Sequence, residues 1–396
     1  MTLGPHSTGE RTLGNPRRAR PIGRVVVALS GGVDSAVTAC LLQRQGYDIQ
    51  PLFMKNWEED DRPGFCSAAA DLHDAERVCE RLGLKLLTVN LCSEYWDRVF
   101  VPFLAAYRAG QTPNPDVLCN QQVKFRVFMD YALTLGATHI ATGHYARISQ
   151  DRDGFHLLKG TDPHKDQSYF LHRLDQSQLA RALFPLGELT KSEVRRLACE
   201  AQLPVHGKKD STGICFIGER PFQAFLSRYL AQAPGPIETP DGQILGEHAG
   251  LAYYTLGQRR GLGIGGKRGA TGAPWYVIAK NFQRQALIVT QGHQHPTLYA
   301  HCIIAQDVHW ITPRRLQFPL RCRAQIRYRQ SDQACEIDKD RDHRYRVRFL
   351  EPQWAPAPGQ YVVFYEAEEC LGGGMIDPLP SPLGPPTEAS AQASDR

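Results

Sequence analysis

Between residues 24 and 142 the chain alternates short continuous apolar runs with stretches whose apolar residues recur at helical spacing. Residues 24–29, 47–54, 85–90 and 138–142 read as buried strands. The stretch from the glycine turn after 29 to 45, and then 67–82, 94–108 and 121–135, read as helices. Buried strands alternating with helices predict a parallel sheet covered on both faces, an α/β domain. Thr190 followed three residues later by Glu193 is a capping box and predicts a helix to residue 201. After about 218 glycines multiply and apolar stretches shorten, as expected of a small linking module. Beyond 295 the segments 299–308, 320–329, 344–349 and 360–366 are apolar or alternating between Pro, Gly and Asp turns, a spacing that suits a C-terminal antiparallel β-barrel. The expected organisation is a flexible tail over 1–22, the α/β domain over 23–218, a central module over 219–294, the barrel over 295–377 and a disordered tail over 378–396.

Composition narrows the function classes. The 396 residues are 42% apolar and 22% charged, which suits globular domains and excludes a fibrous or wholly disordered chain. No apolar run approaches the roughly 18 to 20 residues that cross a bilayer, and the N-terminus lacks the apolar centre of a secretory signal, so the expected setting is intracellular, cytoplasmic and without a membrane partner. The first 22 residues hold four arginines and one glutamate. That composition also suits an organellar address, although an amphipathic apolar face is missing. The eleven cysteines are never closer than 13 residues apart, which rules out C-x-x-C knuckles and makes most of them buried fillers. The net charge is +5, but residues 248–331 carry twelve Arg or Lys and one acid, Asp307. A polyanionic partner would favour such a stretch, and so would an ordinary solvated basic face.

The sharpest local signal is Ser30-Gly31-Gly32-Val33-Asp34-Ser35, set between the first strand and the first helix. Two glycines let backbone amides turn toward an anion, two hydroxyls add donors, and the next helix presents its positive end, so the segment is built for phosphate or pyrophosphate. Asp34 is placed to hold a magnesium ion bridging those phosphates. A second glycine-rich run, Gly261 to Lys267, imitates a nucleotide loop. No strand leads into it and Gly269, Gly272 and Pro274 prevent a following helix, so it reads as a flexible basic loop.

Two cysteines stand out by their surroundings. Cys119 follows Asn114-Pro115-Asp116 where a helix is expected to open at 121; a helix N-terminus lowers a thiol pKa, while Asp116, three residues away, opposes that and lies within proton-transfer reach. Cys215 sits in the loop Gly213-Ile214-Cys215-Phe216-Ile217-Gly218 after Lys208 and Lys209, whose charges favour thiolate. Taken singly, each also suits a core thiol.

The 30–35 loop resembles the pyrophosphatase loop of the N-type ATP pyrophosphatases, adenine nucleotide α-hydrolase-like enzymes that cut ATP between the α and β phosphates. Together with residues 114–119 and 213–218, and with the runs 53–57, 141–145, 165–169 and 255–262, it closely resembles the bacterial-type tRNA-specific 2-thiouridylases over nearly the whole chain. That resemblance implies ATP contacts at Ala28, Leu29, Ser30, Gly31, Gly32, Val33, Asp34, Ser35, Met54 and Gly143. It implies a persulfide on Cys215, a partner thiol in Cys119 that ends in a disulfide with it, and Asp116 as acid or base. It places the target uracil at Asn114, Pro115 and Asp116, and further tRNA contacts at His144, Lys165, Asp166, Gln167, Arg327, Tyr328 and Gln360. A persulfide-donor protein is the implied partner, and the Cys215 loop is expected to order when tRNA binds. The alternatives are an amidating ligase with the same loop, for which no ammonia source is visible, and a non-catalytic RNA-binding protein of this fold.

Overall fold

The computed structural model describes residues 23–58, 67–210, 222–265, 272–340 and 343–377. Four short strands, β1 (Arg24–Ala28), β2 (Asp48–Lys55), β3 (Leu87–Asn90) and β4 (His139–Ala141), and the two-residue strand Ala182–Leu183 form one parallel sheet ordered β3-β2-β1-β4-Ala182–Leu183. Val25, Val26 and Val27 of β1 are fully buried, which is why this run shows no alternation: helices cover both faces. Helices α1 (Val33–Arg44), α2 (Ser67–Leu82) and Lys191–Glu200 cover one side, and their apolar residues close over Leu29, Phe53 and Tyr145. The other side packs on the helical segments between Cys92 and Thr134, and that core continues into Phe225 of the central module and Tyr361 of the barrel. The chain runs from β1 outward to β3 and then returns to β4 on the other flank of β1. The crevice beyond the ends of β1 and β4 is therefore the topological switch point, where open α/β sheets bind ligands.

The central module is a four-stranded sheet of Gly235–Glu238, Ile244–His248, Trp275–Asn281 and Ala286–Gln291. The C-terminal sheet closes on itself where Tyr299–Trp310 pairs with both Tyr345–Trp354 and Glu369–Ile376, giving a six-stranded barrel with an apolar interior.

Three features depart from the pattern along the chain. The barrel strands Gln333–Lys339 and Glu369–Ile376 carry no clear strand pattern, because the first points only Cys335 and Ile337 firmly inward and the second carries three consecutive glycines. The hairpin Ala146–Gln150 and Phe155–Lys159, from the α/β domain, extends the barrel sheet by pairing Leu157 and Leu158 with Cys370 and Glu369. The helix expected to open at 121 starts at Pro115 and passes into a π-helical segment, Cys119–Val127.

Candidate active site

The anion loop is folded by its own hydroxyls. Ser35 Oγ accepts from the Ser30 amide at 3.1 Å, lies 3.2 Å from Ser30 Oγ and donates to the Gly32 carbonyl at 3.1 Å. Gly31 has φ +74°, and a Cβ there would lie 2.2 Å from the Asp71 carbonyl oxygen of α2; only glycine satisfies both conditions. Gly143, just past β4, packs against the loop so closely that a Cβ would stand 3.0 Å from the Ser35 amide nitrogen. The fold thus brings Ala28 to Ser35 and Gly143 together at the switch point. Met54 lies near the C-terminal end of the neighbouring β2.

Charges converge on this loop, and most of them carry no motif in the sequence. Tyr145 Oη donates to Asp34 Oδ1 at 2.8 Å, and Lys191 Nζ contacts both Asp34 oxygens at 2.7 and 2.9 Å. Lys191 also reaches Asp210 Oδ1 at 2.8 Å, and Asp210 further pairs with Lys165 and Arg195, each at 2.7 Å. Burial works to raise the Asp210 carboxyl, but hydrogen bonds from Lys165 and Lys191 outweigh it and hold it down at about 2. Lys208 donates to the Gly31 carbonyl at 3.1 Å and to Asp71 and Asp74 at 2.7 Å each. Lys191, Arg195 and Asp210 carry no motif, because a charged residue looks the same in sequence whether it is solvated or paired; Lys208, expected to favour thiolate at Cys215, is instead bonded to Gly31, Asp71 and Asp74.

Magnesium fits this arrangement only as an ion that arrives with phosphate. Among the described residues no three His, Cys, Asp or Glu side chains are grouped to hold a metal. Asp34 offers one carboxylate, and magnesium characteristically combines one or two carboxylates with phosphate oxygens and water.

The second half of the candidate site is the turn Asn114–Cys119. Asn114 caps the helix, its side chain accepting from the Asp116 amide at 3.2 Å. Cys119 therefore lies a full turn inside the helix, where less of the dipole effect remains than at an N-terminus. Its thiol is only 2% exposed and belongs to the apolar core with Val117, Val123 and Phe103. Burial raises the Asp116 carboxyl above its ordinary 3.8, and the charge of Lys124 opposes this. Asn120 Nδ2 donates to the Phe170 carbonyl, while its Oδ1 is buried with no hydrogen-bond partner. Cys215 lies outside the described residues.

Asp116 yields a prediction. A raised carboxyl stabilises the native state below the unfolded value and loses that contribution as pH rises through the folded value, so the ionised form is a liability at neutral pH. Asp116→Asn is expected to raise Tm at pH 7, with the gain vanishing below about pH 4, the ordinary carboxyl range, and to lower thiolation by about 10²-fold or more if the carboxyl moves a proton. Thermal melts across pH beside activity assays check both; a Tm gain that is independent of pH would rule the titration out.

The residues expected at tRNA fall into two groups. His144 is 8% exposed, bonded through Nδ1 to Thr142 at 2.7 Å and flanked by the Phe125 and Phe184 rings. Burial first and the charge of Lys124 second push its pKa well below 6.5. Lys165 is turned to Asp210, Asp166 accepts from the Gly160 and Ser168 amides, and Gln167 accepts from the Tyr145 amide at 3.0 Å. The other group lies where three modules meet. Arg327 and Tyr328 stand in the turn after the strand Leu320–Gln325, not within a strand. Arg327 lies 4.8 Å from the Trp354 ring and donates to the Ala355 carbonyl, and Tyr328 packs 4.4 Å from Phe170. Gln360 donates to the Thr112 carbonyl at 2.9 Å, and Thr112 donates through Oγ1 to Thr255. A cleft of about 370 Å³ here is lined by Thr255, Gln258, Arg327 and Gln360 among others.

Residues 23–219 match the family described as the tRNA methyl transferase HUP domain, 223–291 its PRC-barrel domain, and 300–376 an aminomethyltransferase beta-barrel domain. Curated relatives match across the modules. A tRNA-specific 2-thiouridylase of Pseudomonas paraeruginosa is 56% identical over 91% of this chain and 95% of its own length. One of Methylococcus capsulatus is 59% identical over 89% of this chain and 96% of its own. Among solved structures, a 4-thiouridine synthetase in complex with RNA and ATP overlaps at 20% identity and TM-score 0.32, covering 52% of this chain and 49% of that one, a likeness too slight to carry weight. The domain descriptions speak of methyl transfer and the relatives of thiolation. The relatives decide, because they match nearly end to end at high identity.

Proposed function

The chain belongs to the tRNA-specific 2-thiouridylase family, and on that premise we propose that it is an ATP-dependent sulfurtransferase that converts a uridine at the wobble position of tRNA to 2-thiouridine. The observation that carries this reading is identity of 56–59% to such enzymes over about nine-tenths of the chain; the phosphate-suited loop at the switch point supports it. The C2 oxygen of uracil is a poor leaving group. Its attack on the α-phosphorus of ATP breaks the bond to the β-phosphate, releases pyrophosphate onto the loop of residues 30–35 and leaves the oxygen bound to AMP. Asp34 would contact a magnesium ion carried in with the phosphates, whose chemistry is to offset their charge.

The outer sulfur of a Cys215 persulfide then bonds to C2, and AMP leaves with the oxygen. Cys119 attacks the inner sulfur, and a Cys119–Cys215 disulfide remains that two electrons from a thiol reductant must open. Released sulfide, freed by the same attack of Cys119 before C2 is reached, is the equivalent route. Asp116 serves as acid or base beside the base ring, with Asn114 and Pro115 shaping its seat. An anticodon uridine is already unpaired, so turning it out costs less than opening a duplex. The basic stretch 248–331 and the cleft at Arg327, Tyr328 and Gln360 offer a cationic bed for the anticodon arm. His144 and Lys165 to Gln167, turned inward here, would bound its far side. The donor is a persulfide-carrying protein, and the setting one that keeps thiols reduced, such as the cytoplasm. No helix among the described residues is long and apolar enough to cross a membrane.

Nucleoside mass spectrometry of unmodified tRNA incubated with the protein, magnesium-ATP and a persulfide donor tests the reading. The expected result is 2-thiouridine with one AMP per base. AMP without a thiolated base would point to another acceptor, and neither product would favour a non-catalytic RNA-binding protein.

A further inference from the structure

Arg327 is a cation that the fold has taken largely out of water without giving it an anion. Arg314, Arg321, Arg344 and Arg348 of the same barrel pair with carboxylates. Among the described residues Arg327 bonds to none: it donates through Nη2 to the Ala355 carbonyl, and its guanidinium lies 4.8 Å from the centre of the Trp354 ring. Burial draws its pKa down, with Tyr169 opposing. A desolvated cation is costly unless an opposite charge meets it. Its place in the wall of the cleft, beside Thr255, Gln258 and Gln360, therefore points to an anion that arrives from outside.

Trp354 holds Arg327 at that wall, and the indole is itself fixed by its neighbours. The His293 ring stacks on it at 5.3 Å and 9°, the Tyr276 ring meets it edge-on at 6.0 Å, and Gly257, with φ +77°, passes so close that a Cβ would stand 2.7 Å from Cη2. Trp354 and Arg327 belong to the barrel, and Gly257, Tyr276 and His293 to the central module, so the platform exists only where the two are packed together. The indole Nε1 is buried with no hydrogen-bond partner. What the ring offers Arg327 is its π face, the strongest such face among side chains.

We propose that Trp354 is the positioning residue that presents Arg327 to a phosphodiester of the anticodon loop. The inference deepens the reading of this cleft as a seat for the anticodon arm and rests on it. The ring face and the Ala355 carbonyl fix the planar guanidinium and leave its remaining N–H donors for two phosphate oxygens, the paired geometry that arginine and phosphate favour. A carboxylate in the place of the ring would hold the arginine equally well but would compete with phosphate for its charge. An aromatic face holds the cation without neutralising it. Because the side chain is ordered before tRNA arrives, less rotamer entropy is lost on binding.

The test titrates the full chain with unmodified tRNA over a range of salt, and measures KM for tRNA and kcat for AMP formation with magnesium-ATP and sulfide. The variants are Arg327→Ala, Trp354→Leu, Trp354→Phe and Arg327→Ala combined with Trp354→Leu. Arg327→Ala is expected to weaken binding and to reduce the slope of log K against log salt by about one, the loss of one phosphate contact. Trp354→Leu is expected to weaken binding by about tenfold with the same change of slope, through KM more than kcat, and Trp354→Phe, which keeps a ring face, to stay within about threefold of wild type. On top of Arg327→Ala, Trp354→Leu is expected to weaken binding by less than about twofold, since it acts through the arginine. A Trp354→Leu effect that adds in full to that of Arg327→Ala, an unchanged salt slope, or a phenylalanine variant as weak as the leucine one would overturn the proposal and make Trp354 a packing residue. Arg327→Ala that binds tRNA like wild type would overturn the placement of the anticodon arm in this cleft, and the proposal with it. Formation of 2-thiouridine by that variant would show that the failure lies in the placement and not in the sulfur-transfer reading.

Discussion

Gly31→Ala is expected to lower AMP formation by at least about 10²-fold and to destabilise the protein at the same time. The backbone at Gly31 has φ +74°, and the new methyl would sit 2.2 Å from the Asp71 carbonyl oxygen. Left-handed backbone alone costs an L-residue roughly 1 to 2 kcal/mol, and the overlap is with main chain, which cannot rotate aside. Relief requires the loop to separate from α2. That movement strips Lys208 of the Gly31 carbonyl and displaces the Ser30–Ser35 hydroxyl pair that shapes the phosphate seat. Gly32→Ala is the matched control: its φ is −94° and its nearest outside neighbour, Ser30 Oγ, lies 3.6 Å away. Measuring KM for ATP, AMP release and Tm for the pair decides the matter. A Gly31→Ala protein with wild-type AMP release would show that the loop does not cradle phosphate.

Cys119→Ala is expected to remove persulfide-driven 2-thiouridine by about 10³-fold or more while AMP-forming turnover persists. Covalent nucleophiles deleted in this way leave only the contributions of binding and electrostatics. The thiol is buried among Val117, Val123 and Phe103, so its truncation also leaves a small cavity and costs about 1 kcal/mol of stability; thermal melts separate that loss from the chemistry. Added sulfide is informative because it needs no persulfide cleavage. Restored product with sulfide places Cys119 at the S–S bond, whereas continued failure places it at C2. Persulfide-driven product surviving in Cys119→Ala would remove the residue from the mechanism. In the proposed reaction, the burial of Cys119 requires some displacement of the helical turn Asn114–Cys119 before the base can reach it. The next residue, Asn120, keeps a buried Oδ1 with no hydrogen-bond partner.

Much of this protein is legible from neighbouring residues alone. Four strands of the parallel sheet follow from apolar runs, while the two-residue edge strand Ala182–Leu183 is too short to leave a pattern, and the helix at Lys191 follows from Thr190 and Glu193. The anion loop follows from glycines and hydroxyls held within six positions of one another. Each of these is a local property, set by backbone sterics and by side chains a turn apart. The tertiary structure decided what lies far apart: that Lys191 and Asp210 flank Asp34, that the Ala146–Lys159 hairpin serves the barrel sheet, that His144 is buried between Phe125 and Phe184, and that Thr112, Thr255 and Gln360 join three modules. No periodicity records such meetings. The charge of a lysine is the same in solvent or between two carboxylates, and only the folded chain, by removing water and bringing in partners from over a hundred residues away, turns it into a site.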